Sequence, residues 1–138
     1  MIGILIISHG TLGESLVHCA AHVLNRQPAQ LTVLAVGSKD DPVLVLPRAI
    51  GMVKELDDGT GVLVLTDMYG GSPSNIASKL VNPGKVEAVC GVNLPMLIRV
   101  LNYRERDLAT IVTKAVSGGC EGVMRVPMFK LHNAASGS

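Results

Sequence analysis

The sequence predicts an α/β fold, doubly wound around a mostly parallel sheet in the order 2-1-3-4. Three observations carry this. Four short apolar runs, Ile2–Ile7, Leu31–Val36, Val62–Leu65 and Lys85–Cys90, alternate with segments of helical period. That alternation calls for parallel strands joined by crossover helices. The first three runs are rich in β-branched residues and unbroken by charge, as strands buried on both faces require. Polar groups gather where the first and third runs end, at Ser8-His9-Gly10-Thr11 and Thr66-Asp67. Open parallel sheets bind ligands outside the carboxyl ends of strands where the strand order reverses, and in the order 2-1-3-4 that point lies between strands 1 and 3.

The elements follow in order. Thr11 and Glu14 have capping-box spacing. Leu12, Leu16, Ala20 and Val23 recur at helical spacing, predicting a helix to about Asn25 that Arg26-Gln27-Pro28 closes. After the second run, Gly37 to Pro42 is a turn into a second helix, capped by Asp41 and reaching about Leu56. Pro47 lies within it and either kinks it or marks its true start. The loop Asp57–Gly61 precedes the third run. A third helix is expected from Pro73 to about Val81, stopped by Asn82-Pro83-Gly84. Two more are expected over Pro95–Tyr103 and Asp107–Val116, the latter closed by Gly118-Gly119. Gly122–Lys130 has no helical period; Val123, Met124, Val126 and Met128 make it an edge strand in search of a partner sheet, expected in a second subunit of a homodimer. The chain reads as one domain over residues 1–131, with 132–138 a disordered tail.

Composition narrows the function. The chain is 48% apolar and 17% charged with a net charge of +1, so a full core is expected and no electrostatic footprint for nucleic acid appears. One Phe, two Tyr and no Trp leave little for base stacking. The apolar runs are too short to span a bilayer and no charged leader precedes the first strand, so a cytoplasmic protein without membrane insertion is expected. Cys19, Cys90 and Cys120 form no Cys-x-x-Cys pair and read as reduced, partly buried thiols.

His9 is the sharpest residue. A neutral imidazole at a strand end acts as a nucleophile, a base or a metal ligand. A carboxylate on one ring nitrogen fixes the tautomer, frees the other nitrogen and stabilises the cationic ring that forms; Asp67, after strand 3, is placed to do this. Gly70 and Gly71 free the backbone for tight turns. Ser72 is suited to cap a helix whose first turn holds Pro73, and a helix start presents unpaired N–H groups and a positive dipole end to a phosphate. Thr66 and Gly70 support this loop. His18 and His22 are an i, i+4 pair on the face away from the apolar stripe, with no third ligand beside them, so no metal site is assigned. No Walker, dinucleotide-binding or nucleophile-elbow motif occurs, and no cofactor is expected.

Ser8-His9-Gly10, Thr66-Asp67-Met68-Tyr69-Gly70-Gly71-Ser72-Pro73-Ser74-Asn75 and Gly91-Val92-Asn93-Leu94-Pro95-Met96 together resemble the EIIA domain of the mannose family of the bacterial phosphoenolpyruvate-dependent sugar phosphotransferase system. The resemblance covers roughly Met1 to Met124. It implies a phosphoryl carrier that accepts the group from the phosphocarrier HPr on a histidine matching His9 and passes it to a histidine-bearing EIIB component for sugar uptake. Asp67 matches the carboxylate partner, and Gly71 and Ser72 the phosphate-facing helix start. It also implies a short antiparallel C-terminal strand and a homodimer that exchanges it. Two departures stand out: Arg125–His132 is more apolar than expected after the last strand, and no EIIB segment lies within these 138 residues. Two enzyme alternatives lack residues: a histidine phosphatase needs an arginine where Ser8 stands, and a cobalt chelatase needs further histidines on this face. A regulatory EIIA whose phosphorylation state is read by a partner would use the same residues.

Overall fold

The computed structural model describes residues 1–130; the expected tail, 132–138, lies outside them. The elements run β1 (Gly3–His9), α1 (Leu12–Leu24), β2 (Leu31–Val36), α2 (Pro42–Leu56), β3 (Val62–Thr66), α3 (Ser72–Leu80), β4 (Val86–Cys90), α4 (Leu94–Tyr103) and α5 (Leu108–Glu121). The strands form one all-parallel sheet in the order β2-β1-β3-β4. Register places Ile7 beside Thr66 and His9 beside Val36, so β1 outruns β3 by its last two residues.

Side-chain alternation along the strands sorts the core into two layers. Ile4, Ile6, Leu63, Leu65 and Val89 pack with Ala20 of α1, Met96, Leu97 and Val100 of α4 and Ile111 of α5. Leu5, Ile7, Val36, Val62, Val64 and Val86 pack with Val45 and Ala49 of α2 and Ile76, Ala77 and Leu80 of α3. Both faces of β1 and β3 are therefore dry, which is why their sequences carry no polar alternation.

Three boundaries differ from expectation. α2 runs unbroken through Pro47, which sits on the exposed side of the helix. The sequence ended the last helix before Gly118-Gly119, but α5 continues through both to Glu121. These glycines are packing surfaces rather than a stop: a Cβ on Gly118 would lie 2.9 Å from Arg99 Cβ, and one on Gly119 2.8 Å from Met96 Cε. The expected edge strand is not formed in the single chain. Residues 123–130 carry no strand, and Val123, Met124, Val126, Met128 and Phe129 stand exposed beyond α5. Without a ladder, the backbone groups of this segment are left to water.

At the amino end of the sheet the buried Arg104 guanidinium acts as a staple. It donates to the carbonyls of Ile2, Ala29 and Gln30, tying the α4–α5 turn to β1 and to the loop before β2. Burial disfavours its charge and lowers its pKa, although the group remains a cation at any physiological pH. Replacing it by methionine strands the Ile2 and Ala29 carbonyls, while that of Gln30 keeps the Ile4 N–H. Urea denaturation of Arg104→Met is expected to show a loss of about 3 kcal/mol or more, with Arg104→Lys recovering part of it.

Candidate functional site

The site is assembled at the carboxyl edge of the sheet. Leu5 and Ile7 of β1 face α2 and α3, so by alternation His9 points to that side and Ser8 to the α1 side. The buried Ser8 Oγ accepts the Gly13 N–H at 2.8 Å, tying the end of β1 to the first turn of α1. This replaces the expected capping box: Thr11 occupies the N-cap, but its side chain makes no capping bond.

Asp67 clamps His9 twice. One carboxylate oxygen, Oδ2, accepts the His9 backbone N–H at 2.8 Å and lies 2.8 Å from ring Nδ1, while Oδ1 accepts the Met68 N–H at 2.9 Å. A carboxylate only accepts, so in the neutral ring Nδ1 carries the proton and Nε2 keeps its lone pair. Desolvation of the largely buried carboxyl pushes its pKa up. The N–H and ring bonds from His9, with the Met68 N–H, outweigh that and hold it below the ordinary aspartate range.

The loop beyond Asp67 brings a helix start to the free nitrogen. Gly70 adopts φ +92°, a left-handed conformation that disfavours side chains, and donates its N–H to Ser74 Oγ at 2.9 Å. Gly71, at φ −91°, is glycine for a different reason. A Cβ there would lie 2.9 Å from His9 Cε1 and 3.2 Å from Nε2. Gly71 is also the N-cap of α3, with no side-chain capping bond, and Ser72 and Pro73 occupy the first two helical positions. Ser72 is thus one residue inside the helix rather than its cap, and its side chain is exposed. The unpaired N–H groups of this first turn and the positive end of the α3 dipole stand beside Nε2, and α1 begins three residues after His9.

The structure places Asp67 and Gly71 against His9, with Gly70 and Ser72 on either side of Gly71. Thr66, the last residue of β3, is fully buried, and its Oγ1 has no hydrogen-bond partner among the described residues. Sequence reasoning missed Ser8 and Ser74. Both are short hydroxyl side chains within a turn's reach of a glycine N–H, and that local pairing was the available signal. His18 and His22 are exposed on α1. Of the thiols, Cys19 and Cys120 are exposed rather than partly buried, and Cys90 is half-buried.

Residues 3–116 match the EIIA-man family, described as "PTS system fructose IIA component". This chain belongs to that family. The mannose-specific EIIAB component of Escherichia coli (strain K12) is 34% identical over 137 residues, which cover 97% of this chain and 42% of that protein. The chain thus spans about two fifths of the length of such relatives. The solved EIIA component from Streptococcus agalactiae superposes with a TM-score of 0.80 at 25% identity, covering 91% of this chain and 97% of that one. The IIA protein associated with the fucose utilization operon of Streptococcus pneumoniae gives 0.78 at 26%, covering 89% and 91%. These relatives are named as components of sugar phosphotransferase systems. No helix among the described residues is long and apolar enough to cross a membrane.

The clamp has a direct spectroscopic signature. Long-range 15N spectra are expected to show neutral His9 as a single Nδ1–H tautomer. Asp67→Asn and Gly71→Ala should each give a mixture, the first by removing the acceptor-only partner and the second by displacing the ring. The Asp67 carboxyl should titrate below the ordinary aspartate value. Its contribution to stability is then complete above the unfolded aspartate range, about pH 3.9, and is lost as pH falls through the lower folded value.

Proposed function

We propose that this protein is a histidine phosphoryl carrier that takes the group from phospho-HPr onto His9 Nε2 and passes it to an EIIB component for sugar uptake. The observation that carries this reading is the pairing of Nδ1 with Asp67 at 2.8 Å while Nε2 abuts the N-cap of α3. The nitrogen that must attack is the unprotonated one, and it already faces the donors that receive the oxygens.

The chemistry needs little else. Nε2 attacks phosphorus in line as the nitrogen–phosphorus bond to the donor imidazole breaks, so one bond forms for each one lost. The His9 ring becomes cationic when the group arrives, and the Asp67 carboxylate stabilises that charge through Nδ1–H. The backbone N–H groups of the α3 first turn and the Ser72 hydroxyl are placed for the phosphoryl oxygens, and the helix dipole favours their negative charge. Onward transfer runs the same steps in reverse. A protein donor is supported by the openness of the edge: the His9 side chain is 50% exposed, and Leu12, Val43, Leu44, Met68 and Tyr69 stand exposed on the elements that follow β1, β2 and β3.

Incubation with phosphoenolpyruvate, Enzyme I and HPr is expected to add the mass of one phosphoryl group, labile to acid; a His9→Ala protein that takes up the full load would overturn the assignment. Asp67→Asn should slow transfer by orders of magnitude, about the loss seen when a triad carboxylate is amidated. Ser72→Ala removes one donor among several and should cost about tenfold to a hundredfold. The reverse ranking, with circular dichroism unchanged, would invert the roles.

The same reading includes a homodimer. The exposed apolar segment 123–130 is suited to pair antiparallel on an open sheet edge, and β4 is such an edge. Removal of the residues after Gly122 should yield a monomer in sedimentation velocity at micromolar concentration, where the full chain is expected to run as a dimer.

A further inference from the structure

Thr66 is the one buried side chain among the described residues whose polar atom has no hydrogen-bond partner. Its position makes the omission pointed. It ends β3, one residue before Asp67, and pairs in register with Ile7, two residues before His9. The alternation that sends Val62 and Val64 toward α2 and α3 sends Thr66 the same way, so its hydroxyl lies on the side of the sheet to which His9 points. The first turn of α3 roofs this face, with Pro73 and Ser74 buried against it and Gly71 touching the imidazole.

A neighbouring hydroxyl shows what structural use looks like here. Ser8, equally buried, accepts an N–H at 2.8 Å, and Ser74 accepts the Gly70 N–H. Thr66 has no such task; its backbone carbonyl already takes the Val92 N–H. A valine has the same shape, lacks the polar atom and favours strands. An unsatisfied buried hydroxyl makes the fold less stable than the apolar isostere would.

Resting on the carrier reading above, we propose that the Thr66 hydroxyl is a hydrogen-bond donor kept for the phosphorylated state. It reaches the phosphoryl group on Nε2 directly or through one water held beneath Gly71, and so helps to set how tightly the protein retains the group. The unpaired atom at the floor of the site and the unpaired N–H groups of its roof then serve one anion.

The test compares wild type, Thr66→Val and Thr66→Ser in two measurements. Thermal unfolding of the unphosphorylated proteins should place Thr66→Val about 3 °C above wild type, the gain from removing an unsatisfied hydroxyl. The equilibrium distribution of phosphoryl groups between HPr and this protein should shift about fivefold to tenfold away from Thr66→Val, the worth of one hydrogen bond. Thr66→Ser, which keeps the hydroxyl, should restore the wild-type equilibrium. A Thr66→Val protein with unchanged phosphoryl equilibrium overturns the inference while leaving the carrier reading intact. So does one that melts below wild type, because the hydroxyl would then have a structural partner. A wild-type protein that accepts no phosphoryl group overturns the carrier reading and this inference together.

Discussion

The site depends on a single carboxylate. Asp67 Oδ2 holds the backbone and the ring of His9 at once, so one side chain determines where β1 ends, which way the imidazole turns and which nitrogen is bare. The bond is possible because β1 outruns β3 by two residues, carrying His9 one step past the level of Asp67, the first residue after β3. The clamp is therefore a consequence of sheet register. A slip of β1 by one residue would reverse its faces and send His9 toward α1.

Around that clamp the fold supplies charge complementarity without adding charged side chains. The N-terminal end of α3 is made from backbone, in a first turn with a glycine cap and a proline that has no N–H to offer. Glycine at 71 leaves the ring the space that a Cβ would take. A rigid dipole already in place costs no reorganisation when charge arrives, which is the main term in electrostatic stabilisation of phosphoryl transfer.

The buried polar groups divide by role. Arg104 and Ser8 are fully engaged with backbone partners, one at each edge of the sheet, and hold loops to strands. Thr66 Oγ1 has no partner among the described residues and lies one residue before Asp67. Buried polar atoms in folded proteins are overwhelmingly paired, so the exception at the functional edge marks where local stability and the needs of a site diverge.

The sequence by itself determined the parallel sheet, its strand order and the meeting of His9 with Asp67. Those follow from buried strands with no polar alternation and from the switch-point rule, both of which act over short stretches of chain. It also placed Gly70, Gly71 and Ser72 at a helix start, because the residues that turns and first helical turns demand are local. Tertiary structure alone decided what each of those residues does. Gly71 is needed for contact with an imidazole 62 positions earlier in the chain rather than for its dihedral angles, and nothing nearby in sequence reports that contact. Gly118-Gly119 reads as a helix stop, yet the pair lies inside α5, because α4 packs where their side chains would be. Pro47 passes through α2, and the two serines that carry the turns were indistinguishable in sequence from other loop hydroxyls. In each case the deciding partner lies on another element, and local propensity yields to packing wherever the partner is distant in sequence.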